Sequence, residues 1–266
     1  MNLQGKSVLI TGASGGIGAS LARSLHRRGA KLTLMARSAE TLEKAAAETQ
    51  GVAVTGDVTN AEDRKRAVDA ALERWGSLDV LVNNAGVGMY IPAWRADMGE
   101  VRRLWELNIF APLELIQLVV PVMQKQGGGR IVNVSSVAGK IALPWFPNYT
   151  ASKFALCALT DALRIELAPY NISTMDVCPG YVKTAFQDNS LAGRPPDRLW
   201  RMKRMAVMPD ECAEAIARGM ERDKRTLVMP WFGNVLIAAA RLAPSIADRI
   251  LAHIYEGLDL EGIQQR

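Results

Sequence analysis

The sequence predicts an α/β fold, a doubly wound parallel sheet with helices on both faces, and three observations carry that prediction. Short apolar runs recur with no polar alternation, as strands do when both faces of their sheet are covered. Segments with apolar residues at helical spacing separate these runs, giving strand, helix, strand in repetition. The first apolar run ends in a glycine-rich turn, Thr11-Gly12-Ala13-Ser14-Gly15-Gly16-Ile17-Gly18, which opens into a helical segment.

The elements follow in order. Strands are expected at Ser7–Thr11, Lys31–Ala36, Val52–Thr55, Leu78–Val82, Arg130–Val134, Ile172–Val177 and Leu227–Met229. Helices lie between them at Ile17–Arg28, Glu40–Thr49, Ala61–Trp75, Met98–Gln126 and Thr150–Ala168. Two more close the chain: an apolar one from Asn234 to Leu242, and one to about Glu256 that Ser245, with Asp248 three residues on, would start. No Pro/Gly/Ser-rich linker, repeat or low-complexity tract interrupts the first two thirds, so residues 1–266 are expected to form one domain. Ligands of such a sheet bind beyond the carboxyl ends of its strands.

Composition removes several classes of chemistry. With 266 residues, a net charge of +5, 49% hydrophobic and 22% charged residues, the chain reads as an ordinary soluble globular protein. Cys157, Cys178 and Cys212 lie far apart without a Cys-x-x-Cys pair, and His26 and His253 sit near opposite ends. A structural zinc site, a disulfide framework and a haem attachment motif are therefore not expected, nor is any metal, and proton chemistry should use a group other than histidine. Met1 to Ile10 shows no basic-then-apolar leader, and the longest uncharged stretch, Thr226 to Ala240, falls short of the roughly 20 residues that cross a bilayer. A cytoplasmic location is expected, with no nucleic-acid partner.

Chemistry-bearing residues collect at the strand ends. The glycines of the first turn let backbone N–H groups approach a pyrophosphate, and the helix beginning near Ile17 offers its positive end to that anion. The second strand ends Leu34-Met35-Ala36-Arg37-Ser38, with a cation where a carboxylate would hold a ribose 2′-hydroxyl, so NADP(H) is favoured over NAD. Asp57 after the third strand and Asn83-Asn84-Ala85-Gly86 after the fourth would line the same crevice. Ser135-Ser136 closes the fifth strand, and Tyr149 and Lys153 stand one helical turn apart on one face. An ammonium near a phenol favours the phenolate and lowers a pKa of about 10, which makes Tyr149 a candidate general acid/base.

These motifs together resemble the short-chain dehydrogenase/reductase family in its shorter, Rossmann-like, single-domain subgroup. The resemblance runs from about Lys6 to Thr184 through Thr-Gly-x-x-x-Gly-x-Gly, Asn-Asn-Ala-Gly, Ser136, Tyr-x-x-x-Lys and Pro179-Gly180 with Thr184. It implies that Tyr149 exchanges a proton with the substrate oxygen and that Ser136, chosen over Ser135 by its spacing to Tyr149, orients that oxygen. Lys153 would grip the nicotinamide ribose, and Asn108 would hold a water of a relay toward Lys153. Gly12, Ser14, Gly16 and Ile17 would hold the pyrophosphate and adenine ribose, Arg37 the 2′-phosphate, and Asp57 with Val58 the adenine. Asn84 joins the cofactor-binding set, and Pro179, Val182 and Thr184 would meet the carboxamide side of the nicotinamide. Met89, Phe146 and Tyr181, with Val137, Ile141 and Trp145, are the expected walls of an apolar substrate pocket.

The family implies a division into a cofactor-binding and catalytic core, 1–184, and a substrate lid with C-terminal helices, 185–266. Gln187 to Met208 carries Arg194, Arg198, Arg201, Lys203 and Arg204 interleaved with Leu199, Trp200, Met202 and Met205. It reads as a lid with a solvated basic side or, with the apolar tail, as a contact for anionic lipid headgroups. The tail lacks the family's frequent Asp-Gly-Gly and is similar to those of branches acting on steroids, retinoids or lipids. The reading is an NADP(H)-dependent reductase of a hydrophobic carbonyl, peripheral at a membrane if the tail contacts lipid, and a homodimer or homotetramer by resemblance. The alternative is a non-catalytic, cofactor-sensing module on the same fold, against which the complete Ser136, Tyr149, Lys153 and Asn108 set speaks. A sugar-nucleotide epimerase is disfavoured by the glycine spacing, Arg37 and the short C-terminal part.

Overall fold

The computed structural model describes residues 1–193 and 206–255. Seven strands form one sheet: β1 (Ser7–Thr11), β2 (Lys31–Ala36), β3 (Val52–Thr55), β4 (Val80–Asn83), β5 (Gly129–Val134), β6 (Ile172–Pro179) and β7 (Thr226–Met229). Their order is β3-β2-β1-β4-β5-β6-β7 and every pairing is parallel, the doubly wound architecture expected from the sequence. The winding reverses between β1 and β4, and that reversal opens a crevice at their carboxyl ends.

Helices α1 (Gly16–His26) and α2 (Ala39–Thr49) cover one face, and α3 (Ala61–Trp75) covers the other. Strand alternation sorts the core between them: Val8, Ile10, Leu32 and Leu34 pack with α1 and α2, while Leu9, Met35 and Leu81 pack with α3. Asn60 caps α3, its Oδ1 accepting from the N–H of Glu62 and Asp63. β4 starts later than expected, at Val80, because the N–H and C=O of Leu78 are taken by the Gln126 side chain at 3.0 and 3.2 Å.

The long helix expected at Met98–Gln126 is not uniform. It consists of α4 (Met98–Trp105), a wider π turn over Glu106–Phe110, and α5 (Ala111–Lys125). Pro112 has no N–H to give the carbonyl of Asn108, so the ordinary helical ladder cannot run through this point. The run Met98–Lys125 is apolar and long enough to cross a membrane, with mean hydropathy 1.4, but Leu115, Ile116, Val119 and Met123 are buried in the core behind the sheet. Helix α6 (Pro147–Glu166) lies beside α5 on that face.

Helix α7 (Pro209–Glu221), which the sequence reading did not name, packs Cys212, Ala213, Ile216 and Met220 against the face that α1 covers. Glu214 ties it to Arg27 and Arg28 of the α1 end at 2.6 and 2.9 Å. Helices α8 (Gly233–Leu242) and α9 (Pro244–Tyr255) follow β7, with α9 starting one residue before the expected Ser245. The basic residues Arg194, Arg198, Arg201, Lys203 and Arg204 lie outside the described residues.

Candidate active site

The glycine turn is shaped by close backbone approach. A Cβ on Gly18 would lie 2.3 Å from the Gly12 carbonyl oxygen, and Gly12 and Gly16 adopt φ of +65° and +53°. α1 starts at Gly16 with no side-chain cap, so its first N–H groups are offered to whatever occupies the turn. The Asn84 side chain braces this turn by donating to the carbonyls of Thr11 and Gly12 at 2.9 and 3.1 Å. Thr11 Oγ1 in turn accepts from the N–H of Asn84 and Ala85, both at 3.0 Å. Asn84 thus acts on the crevice as a strut between β1 and β4.

One cavity of about 1390 Å³ runs along the strand ends. Gly12, Ser14, Gly16, Ile17, Arg37, Asp57, Val58 and Asn84 line one end of it. Arg37 is exposed there and has no carboxylate partner among the described residues. Asp57 Oδ1 accepts from Thr59 N–H and Oγ1 at 2.9 and 2.8 Å, which fixes the loop after β3. Thr184 folds over the glycine turn, since a Cβ on Gly16 would meet its methyl at 3.1 Å. Pro179 and Val182 line the cavity beside it.

Tyr149, Lys153 and Ser136 meet at the middle of the same cavity. Helix α6 presents Tyr149 and Lys153 on one face, 6% and 3% exposed. Lys153 Nζ donates to the Val134 carbonyl at 3.0 Å and stands 5.7 Å from the Tyr149 ring centroid. Burial pushes the Lys153 ammonium down to about 8, Cys157 and Asp176 opposing it. Burial also raises the Tyr149 phenol, with the adjacent Ser136 hydroxyl pulling the other way. The lowered phenol pKa expected from the sequence is therefore not what the protein's own groups produce: desolvation of a buried phenol outweighs its nearest favourable partner.

The two neighbouring serines separate. Ser135 Oγ is turned into α6, bonding the Lys153 carbonyl and Cys157 Sγ, each at 3.1 Å. Ser136 Oγ accepts from Ala138 N–H at 3.0 Å and sits beside Tyr149. Asn108 is fully buried in the π turn, where its side chain bonds both backbone groups of Val87 and the Ser152 hydroxyl at 3.0 to 3.1 Å. Its side chain is committed to that frame, and Pro112 leaves its carbonyl without the usual helical donor.

The other end of the cavity is apolar. Phe146 stacks between Tyr90 and Tyr149 with centroids 4.1 and 4.2 Å away, and Phe186 meets the Tyr149 edge at 5.6 Å. Val137, Ile141, Trp145 and Tyr181 line it too, with Tyr181 donating to Gln187 Oε1 at 2.7 Å. Met89, expected as a wall, is 1% exposed, lies outside the lining and contacts Asn148; Tyr90 next to it lines the cavity instead. Nothing in the sequence marked Tyr90 or Phe186; hydrogen bonds that lay residues 191–192 along 88–90 hold Tyr90, and the Phe186 ring packs where a Cβ on Gly88 would stand 3.1 Å away. Leu236, Leu242, Ile246 and Ile250 of α8 and α9 complete this end.

Comparison with known proteins finds relatives within one family. The chain is 39% identical over 229 residues to human dehydrogenase/reductase SDR family member 4, covering 81% of each. It is 31% identical over 261 residues to the ketoacyl reductase HetN of Nostoc sp., covering 93% of this chain and 88% of that one. A short chain dehydrogenase from Burkholderia cenocepacia, solved in complex with NADP, superposes with a TM-score of 0.79 at 28% identity, over 94% of this chain and 99% of that one. Solved proteins in complex with NAD or NADH match as well. The family model described as short chain dehydrogenase matches residues 6–195, a span that includes the first strand and the Tyr149–Lys153 helix, so the chain belongs to the short chain dehydrogenase family, whose members are oxidoreductases.

Proposed function

We propose that this protein is an NADP(H)-dependent oxidoreductase that interconverts a hydrophobic ketone or aldehyde and its alcohol. The observation that carries the reading is the convergence of Tyr149, Ser136 and Lys153 at the middle of one cavity, between a glycine-built end bearing Arg37 and an apolar end. The cradle suits a dinucleotide, because Cβ atoms at Gly12 and Gly18 would force this backbone-built turn apart and α1 starts there with no side-chain cap on its first N–H groups.

Gly12, Ser14, Gly16 and Ile17 would hold the pyrophosphate and adenine ribose, Arg37 the 2′-phosphate, Asp57 and Val58 the adenine, and Lys153 the nicotinamide ribose. Pro179, Val182 and Thr184 would flank the carboxamide. A bound nicotinamide supplies the hydride. Ser136 and Tyr149 bind the substrate oxygen, and Tyr149, kept protonated by burial, delivers the proton as negative charge develops there. A phenol with a raised pKa suits reduction of a carbonyl better than oxidation of an alcohol. The apolar walls exclude water and favour a lipid-like or steroid-like substrate.

Two assembly features belong to the same reading. Phe110, Leu118, Phe154 and Ile165, on the run from the π turn through α5 and on α6, are exposed and support pairing of subunits through these helices. Leu236, Leu242, Ile246 and Ile250 both line the cavity and are more than half exposed, and with Trp231 and the nearby Arg241 and Arg249 they support contact with an anionic lipid surface. The enzyme would then be cytoplasmic and peripheral on the membrane. Absorbance at the nicotinamide band, followed with NADPH or NADH and a panel of steroid, retinal and acyl carbonyls, tests the activity. Turnover with NADPH is expected; binding of NADPH without turnover of any carbonyl would favour the cofactor-sensing module instead.

A further inference from the structure

We infer that the buried Lys140–Asp176 ion pair positions Ser136, by anchoring the loop that carries it to β6. The inference rests on the proposed role of Ser136 at the substrate oxygen. Ser136 begins a single 3-10 turn, Val137–Gly139, held locally by the Ala138 N–H to Ser136 Oγ bond at 3.0 Å and a 3.4 Å contact from Ser136 Oγ to the Pro179 carbonyl. One such turn has little stability of its own.

The far end of the loop is clamped much harder. A Cβ on Gly139 would lie 2.7 Å from Cys157 Sγ, Ser135 Oγ and the Lys153 carbonyl, so only glycine lets the chain pass this close to α6. The next residue, Lys140, is turned inward, its side chain 13% exposed, and its Nζ lies 2.8 Å from Asp176 Oδ2. Asp176 is fully buried in β6, between Asn133 of β5 and Thr226 of β7. Among the described residues its other oxygen, Oδ1, has no hydrogen-bond partner, and Oδ2 receives the weak Cys178 thiol at 3.3 Å besides Lys140.

Lys140 is thus the counter-charge that the Asp176 carboxylate meets inside the sheet. The Cys157, Asp176 and Cys178 ligand atoms lie within 4.8 Å of one another, yet this cluster carries its own cation in the Lys140 ammonium. A buried pair of this kind adds little stability over apolar packing, but it is directional, and it fixes the loop at one distance from β6. β6 also supplies Pro179, whose carbonyl faces Ser136 Oγ. Both ends of the Ser136 loop therefore rest on the same strand, and slackening at Lys140 is felt at the hydroxyl.

Lys140→Met should lower kcat by about tenfold or more, as small misplacements of an orienting group do, while the NADPH dissociation constant stays within about twofold. In a Ser136→Ala background the same substitution should cost no further kcat, because the group it positions is gone. Asp176→Asn should give a smaller loss of the same pattern, and Lys140→Arg should restore part of it. Hydrogen exchange at the Ala138 amide should speed up in Lys140→Met, a readout that needs no turnover and so separates this inference from the proposed activity. Should single variants not fold, Lys140→Met with Asp176→Leu removes both charges and should fold with low kcat. Wild-type kcat in that double variant or in Lys140→Met, an equal loss with and without Ser136, or unchanged Ala138 exchange would overturn the inference.

Discussion

At the end of the cavity beyond β1 and β2 the backbone itself makes the surface, and a Cβ on Gly18 would stand 2.3 Å from the Gly12 carbonyl oxygen. At the opposite end side chains make it: Leu242 is 86% exposed while still lining the cavity, and Ile246 and Ile250 are 57% and 55% exposed. A backbone-built surface admits few residue choices, so its chemistry is written in motifs. A surface of interchangeable apolar side chains can be rebuilt in many ways with little loss of stability. The first end can therefore serve one constant ligand and the second a variable one. Tyr149 and Lys153 stand at the seam, where burial rather than partners sets their proton affinities.

The sharpest way to break the comparison is at the glycine turn. Gly18→Ala would ordinarily help a helix, but here it should destabilise the protein by roughly 1 to 3 kcal/mol and weaken NADPH binding at least about tenfold, seen in chemical unfolding and calorimetry. The seam predicts a pH effect of similar size. Lys153 is pushed down to about 8 in the folded protein against an ordinary 10.5, so between these values the unfolded chain binds the extra proton. The stability of the wild type relative to Lys153→Met should therefore rise with pH, by up to about 3 kcal/mol over the whole window. Unfolding measured from pH 8 to 10 reads this before Tyr149, whose raised pKa acts in the opposite direction above pH 10, complicates it.

Arg37→Ala should weaken NADPH binding by about 1.5 to 3 kcal/mol and leave NADH binding nearly unchanged. Equal losses for both cofactors would remove Arg37 from the 2′-phosphate. The smallest effect belongs to the apolar end. Leu242→Ser should change stability by less than about 0.5 kcal/mol, yet reduce sedimentation with anionic vesicles. Full retention of vesicle binding, or none in the wild type, would turn the α8–α9 surface into a pocket cover or subunit contact.

The same contrast explains what could be read from the chain. β1 to β3 begin and end at the residues that their apolar runs mark, most plainly β1 and β2, whose cover on both faces leaves an unbroken signal. The π turn at Glu106–Phe110 sits inside one long apolar run, so only Pro112 hinted at it. Met89, expected among the pocket walls, lies outside the lining, and the local hydrogen bonding brings Tyr90 to the cavity instead. The meeting of Cys157 with Cys178, and of Lys140 with Asp176, comes from α6 and the Ser136 loop lying against β6. No local spacing rule reports contacts of that kind, which is why scattered cysteines looked unrelated.

In the proposed reaction Tyr149 transfers the proton while the glycine end binds the cofactor independently. Substitution of Tyr149 by Phe, followed by both NADPH calorimetry and carbonyl turnover, tests it directly. Cofactor affinity should stay within about twofold of wild type and turnover should fall by at least about a hundredfold, the contribution of a positioned acid. Turnover near the wild-type rate in Tyr149→Phe would contradict it.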